Sequence, residues 1–109
     1  MYTLSDTARQ EDQTVKVDVW DLLLDDANVE KMHAHGVSVR HADEILAGDP
    51  RVLRNHAAHG AALMIVGTDA SGRFWTMPID PTTEHGVWRP RTAYPSRPSD
   101  VARYRRQRS

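Results

Sequence analysis

The stretch "AALMIVGTDASGRFWTMPI" (residues 61–79) decides what kind of fold this chain builds. Residues 61–68 form a continuous apolar run of strand length, which predicts a central, buried strand. "DASG" (69–72) is a turn signal, so "RFWTMPI" becomes the return strand of a hairpin. Working backward, "RVLRN" (51–55) is another candidate strand; working forward, "VWRPRTAY" (87–94) is the last, after the connection "DPTTEHG". Pro78 and Pro90 cannot donate to a ladder, so they must face outward on an edge or sit at bulges.

Ahead of the hairpin the pattern changes. "VKVDVW" (15–20) alternates apolar and polar residues and predicts a strand. "DDANVEKMHAHG" (25–36) predicts a helix capped by Asp26 or Asn28 and left through Gly36. "SVRHADEILAGDP" (38–50) repeats that grammar: Ser38 caps, Ala42, Ile45 and Leu46 face inward, Gly48 ends it and Pro50 forbids continuation. "SDVARYRRQ" (99–107) predicts a short last helix with Val101 and Tyr104 inward and its arginines, Arg103 included, in a solvated fringe. The expected architecture is a small single α+β domain over 15–109. Two N-terminal helices pack on a four- to five-stranded antiparallel sheet, a short helix closes the chain, and residues 1–14 form a loose arm.

Composition narrows the function classes. The chain has 109 residues and no cysteine, which removes disulfides and thiolate metal sites. No membrane span or secretory leader is readable, so a cytoplasmic protein is the expectation. The net charge of −1 hides a polarity: residues 1–50 carry eleven acids against four Lys and Arg, and residues 51–109 carry ten arginines against four acids. Such asymmetry points toward nucleic acid, or toward attraction between the two halves within one fold or between copies in a homo-oligomer.

Six residues carry candidate chemistry. Arg89 and Arg91 alternate along the last strand and fall on one face, where two guanidiniums can bracket a phosphate. Their bland alternative is an edge strand that uses charge against aggregation. His35, at the end of the first helix, sits where the helix dipole favours a protonated imidazole; the alternative is simple capping of carbonyls. Arg54 precedes the loop "NHAAHG", in which His56 and His59 offer an acid–base pair or a polar turn; as a metal clip they supply only two ligands. Trp20, Trp75 and Trp88 read as packing groups rather than stacking platforms.

The order of these pieces carries a resemblance. "VWDLLLDD…VEKMHAHGVSVRHADEIL", the strand "ALMIVGTDASGR", the pair Thr92-Ala93 and the late Tyr104 resemble the BrnT toxin family over roughly residues 17–106. Where family members commonly continue the Ser/Thr-Ala pair with Arg, this chain has Tyr94. The resemblance implies a RelE-like fold and a cofactor-free, metal-independent endoribonuclease acting on RNA. It also implies a cognate antitoxin partner with a DNA-binding domain. The alternative is a relative that binds RNA or protein through its arginine face without cutting. Metal-free RNA cleavage needs a base for the 2′-hydroxyl proton, an acid for the leaving 5′-oxygen and cations for the phosphorane. One sheet face carrying histidine and arginine can supply all three.

Overall fold

The hairpin forms where the apolar run predicts it. In the computed structural model, which describes residues 15–55 and 60–107, the chain runs β1 (Asp21–Leu22), α1 (Asp26–Ala34), α2 (Val39–Ala47), β2 (Arg51–Arg54) and β3 (Leu63–Thr68). It continues with β4 (Phe74–Pro81), β5 (Val87–Pro90), β6 (Tyr94–Pro95) and α3 (Pro98–Arg106). The described residues make a small α+β domain with three helices and one six-stranded sheet, in the order β1-β5-β4-β3-β2 with β6 also paired to β4. No helix among them is long and apolar enough to cross a membrane.

The sheet is mixed, not antiparallel, because β1 pairs parallel with β5 while all other pairs are antiparallel. The expected strand over 15–20 does not form. Val15 N–H bonds Val52 O on β2 and Trp20 N–H bonds Gly86 O before β5, so the segment runs from one side of the sheet to the other. Val15 and Val19 pack on the core as it passes, which accounts for the alternation without strand pairing. Trp20, expected to pack, is 67% exposed and lies on Gly86 and against the His85 ring.

The last strand is broken in two. Ile79 pairs with Pro90 and Arg91 N–H bonds Pro78 O, but Thr76 pairs with Tyr94, so Thr92 and Ala93 both stand opposite Met77. That one extra residue is a β-bulge. It sits beside Pro78, whose nitrogen has no proton to offer the partner strand there. Pro90 occupies a position whose nitrogen points away from β4, so it breaks no ladder bond with that strand, whereas Pro78 leaves the bond reciprocal to Arg91 N–H unmade.

The two faces of the sheet are covered unequally. Met32, Val37, Ala42 and Ile45 from α1, α2 and their joint pack with Val52, Ile65, Trp75, Met77 and Ile79 on one face. Leu53, Met64 and Val66 turn to the other face, where Tyr104 of α3 meets them. The closing helix therefore lies across the sheet from the helical hairpin, making three layers. Fully burying each such aliphatic side chain is worth about 1.5–3 kcal/mol. Tyr104 is fixed three ways: its hydroxyl donates to Asp49 O at 2.6 Å, its ring meets Phe74 edge-on, and Arg51 stacks over it. Arg103, expected in solvent, is only 7% exposed, because it shares with Asp100 and Tyr104 the helix face that packs inward.

Caps fix the helices. Asp25, one residue earlier than expected, caps α1: its carboxylate accepts Asn28 N–H while Asn28 Oδ1 accepts Asp25 N–H. Asn28 is 1% exposed and its amide donates to Leu23 O and Pro90 O, tying α1 to the outer edge of β5. Ser38 caps α2 as expected, with His41 Nδ1 accepting Ser38 N–H in return. Gly36 leaves α1 at φ +82, the left-handed exit the sequence implies.

Candidate functional site

Because α3 covers only part of its sheet face, the surface over the end of β4, the bulge and β6 stays open. Register puts Arg89 opposite Asp80 and Arg91 opposite Pro78, so both arginines stand on this open face. A cleft of about 430 Å³ opens here, within the range of ligand sites. Arg91, Thr92, Tyr94 and Arg97 form its polar side, and Asn55, Gly60, Ala61 and Pro78 its rim.

Each guanidinium is held by a carboxylate. Arg91 Nε and Nη2 donate to Asp80 at 2.6 and 3.1 Å, Arg97 Nε and Nη2 to Asp100 at 3.2 and 3.2 Å, and Arg89 Nε and Nη2 to Asp25 at 3.0 and 3.1 Å. These bonds push the Arg91 and Arg97 pKa values further up. At Asp25, the Asn28 N–H first and Arg89 second hold the carboxyl below its usual range. Arginine has five donors, so a carboxylate on Nε and Nη2 leaves the Nη1 side of the fork pointing elsewhere. The clamps therefore fix the forks and also neutralise them.

Arg97 is anchored deepest. Its carboxylate partner Asp100 is 2% exposed and also accepts the Thr76 hydroxyl at 3.1 Å from the middle of β4. Ser96 Oγ bonds Thr76 Oγ1 at 2.8 Å. The Arg97 guanidinium stands over the Tyr94 ring at 5.8 Å. Burial raises the Tyr94 phenol above its ordinary pKa, so at neutral pH it is a donor.

The predicted residues divide. Arg91 lines the cleft. His35, exposed at the end of α1, brings its ring to 6.3 Å from that of Tyr94, edge-on, and so stands next to the cleft. Arg89 shares the sheet face but is turned to Asp25 and does not line the cleft. Arg54 does not join: it pairs with Leu63, which packs into the helical-hairpin core, so by strand alternation Arg54 belongs to the opposite face. His56 and His59 lie outside the described residues. His85 is engaged elsewhere, bonding Asp18 at 2.8 Å. Among the described residues no group of three His, Asp or Glu could hold a metal ion.

Sequence reasoning missed Asp80, Tyr94, Arg97 and Asp100. Arg97 and Asp100 had a local signal, since an acid three residues beyond an arginine at a helix start is a side-chain pair. A larger groove of about 610 Å³ lies beneath the crossing segment, but its walls are mainly Val15, Val17, Pro50, Val52 and Trp88, with no arginine.

Comparison with known proteins returns no matching family model, no matching curated protein and no matching solved structure.

Proposed function

We propose that the chain engages RNA at the Arg91–Tyr94–Arg97 cleft and cleaves it without a metal, as a BrnT-like, RelE-type toxin endoribonuclease neutralised by a cognate antitoxin. The observation that carries the reading is the convergence of two arginines and a protonated phenol on one cleft, with the exposed His35 ring 6.3 Å from the Tyr94 ring. In this scheme His35 takes the 2′-hydroxyl proton, and the 2′-oxygen attacks phosphorus to form a cyclic phosphate. Arg91 and Arg97 oppose the charge growing on the phosphoryl oxygens. As the P–O5′ bond breaks, the 5′-oxygen leaves with the Tyr94 phenol proton, which the protonated His35 then restores. A positioned base contributes on the order of 10²–10⁴ in rate, and preorganised donors a comparable factor.

The carboxylate clamps favour a second reading, in which the chain binds RNA without cutting it. Asp80 and Asp100 each cancel the charge of the arginine they hold, which leaves shape and hydrogen bonding but little net field for a phosphorane. One experiment separates the two. A single-stranded oligoribonucleotide labelled at each end in turn is incubated with the wild-type protein and with His35→Ala, and binding and cleavage are read separately. Cleavage by wild type, lost in His35→Ala with binding kept, supports the nuclease. Binding without cleavage supports the second reading. Absence of binding refutes both.

A further inference from the structure

Thr92 is half-buried on the polar side of the cleft, and its Oγ1 is shut off from solvent with no hydrogen-bond partner among the described residues. A hydroxyl buried without a partner is rare in folded proteins and asks for an explanation. The buried polar side chains Thr76 and Asp100 are satisfied, Thr76 by Ser96 and Asp100, and Asp100 by Thr76 and Arg97. Thr92 also sits at the bulge, where the extra residue frees it from strand pairing, and bulges commonly re-aim a side chain. Since the hydroxyl is inaccessible while the residue lines the cleft, what Thr92 shows to the cleft is the rest of the residue. One rotation about Cα–Cβ carries the hydroxyl between staggered positions on the same backbone.

We infer that Thr92 is a ligand-reading residue, whose hydroxyl turns from its unpartnered buried position into the cleft to donate to a phosphoryl oxygen held between Arg91 and Arg97. The inference rests on the RNA reading of the cleft and adds to it a specific donor for the phosphodiester. The unpaired hydroxyl makes the empty state less favourable, so the ligand gains both a hydrogen bond and the relief of that burial. Arg91, one residue before Thr92, and Arg97, five residues after it, bring the other contacts to the same oxygens.

The test uses Thr92→Val, which keeps the branched shape and deletes only the hydroxyl, and Thr92→Ser, which keeps the hydroxyl. Thermal melting and equilibrium binding of a single-stranded oligoribonucleotide are measured on the full chain, with inorganic phosphate as a second probe. Thr92→Val is expected to melt no lower than wild type and to bind RNA roughly ten- to a hundredfold more weakly, the loss of one hydrogen bond to a charged acceptor. Thr92→Ser should retain most of the wild-type affinity. Wild-type affinity in Thr92→Val overturns the inference while leaving the RNA reading intact. A clear fall in its melting temperature also overturns it, because the hydroxyl would then have a structural partner. If wild type binds neither RNA nor phosphate, both readings fall together.

Discussion

Replacing Asp69 with alanine tests the hairpin on which the fold is built. Asp69 is buried in the β3–β4 turn, where its carboxylate accepts Ser71 N–H at 2.9 Å, Ser71 Oγ–H at 2.7 Å, Arg73 N–H at 3.0 Å and the indole N–H of Trp75 at 2.9 Å. The Trp75 bond first, then those from Ser71, hold the carboxyl far below its usual value of 3.8. Ser71 and Arg73 lie at the surface, where water can replace the lost acceptor, but the Trp75 side chain is fully buried and its indole N–H is left unpaired. An unpaired buried donor costs about 1–3 kcal/mol and hydrogen bonds to a charged group contribute about 1.5–3 each, so Asp69→Ala should cost about 3–4 kcal/mol. That is a large share of the roughly 5–15 kcal/mol expected for a domain.

The assay is urea unfolding at neutral pH, supported by melting, in which each 1 kcal/mol shifts the midpoint by about 4–8 °C for a domain near this size. The same bonds set an acid dependence. A carboxyl whose folded pKa is depressed contributes fully above its unfolded pKa, and the contribution drains as pH falls below about 3.8, at up to ~1.4 kcal/mol per pH unit. The stability difference between wild type and Asp69→Asn should therefore shrink as pH falls below that value. An Asp69→Ala protein within about 0.5 kcal/mol of wild type would refute the reasoning, because surface substitutions away from special features stay in that range.

Three further outcomes follow from individual contacts. Ser38→Ala removes the cap of α2 and should cost about 1 kcal/mol in urea unfolding, with the fold retained. Asn28→Ala strips Leu23 O and Pro90 O of their shared donor and unties α1 from β5, and should cost about 2–3 kcal/mol by the same assay. Arg54→Ala, whose side chain alternates to the opposite face from the cleft, should leave RNA affinity within about twofold of wild type, since that side chain does not reach a phosphate held there.

What the sequence reveals about this fold is what its local chemistry determines. The hairpin is legible because an apolar run of strand length meets a turn whose Gly72 takes φ +87. The helices are legible from Ser38, Gly36 and Pro50 for the same local reason. The segment 15–20 misleads because a period of two marks any half-buried extended chain, whether it pairs with a strand or crosses a face. Pro78 signals an edge or a bulge, but which residues bulge, Thr92 and Ala93, depends on the strand it meets and has no local mark. The site is half legible on the same grounds: Arg91 and His35 stand out by residue type and position. The Asp80 and Asp25 clamps come from partners 11 and 64 residues away. Which face Arg54 takes is not legible, because alternation along β2 cannot be phased until Leu53 is known to meet Tyr104.

The most direct test of the account is the salt dependence of oligoribonucleotide binding by wild type and Arg97→Ala. Each phosphate neutralised on a single strand contributes about 0.7 to the slope of log affinity against log salt. The account predicts weaker binding by Arg97→Ala and a slope shallower by about that amount. Identical affinities and identical slopes would place the RNA, if it binds at all, away from this cleft.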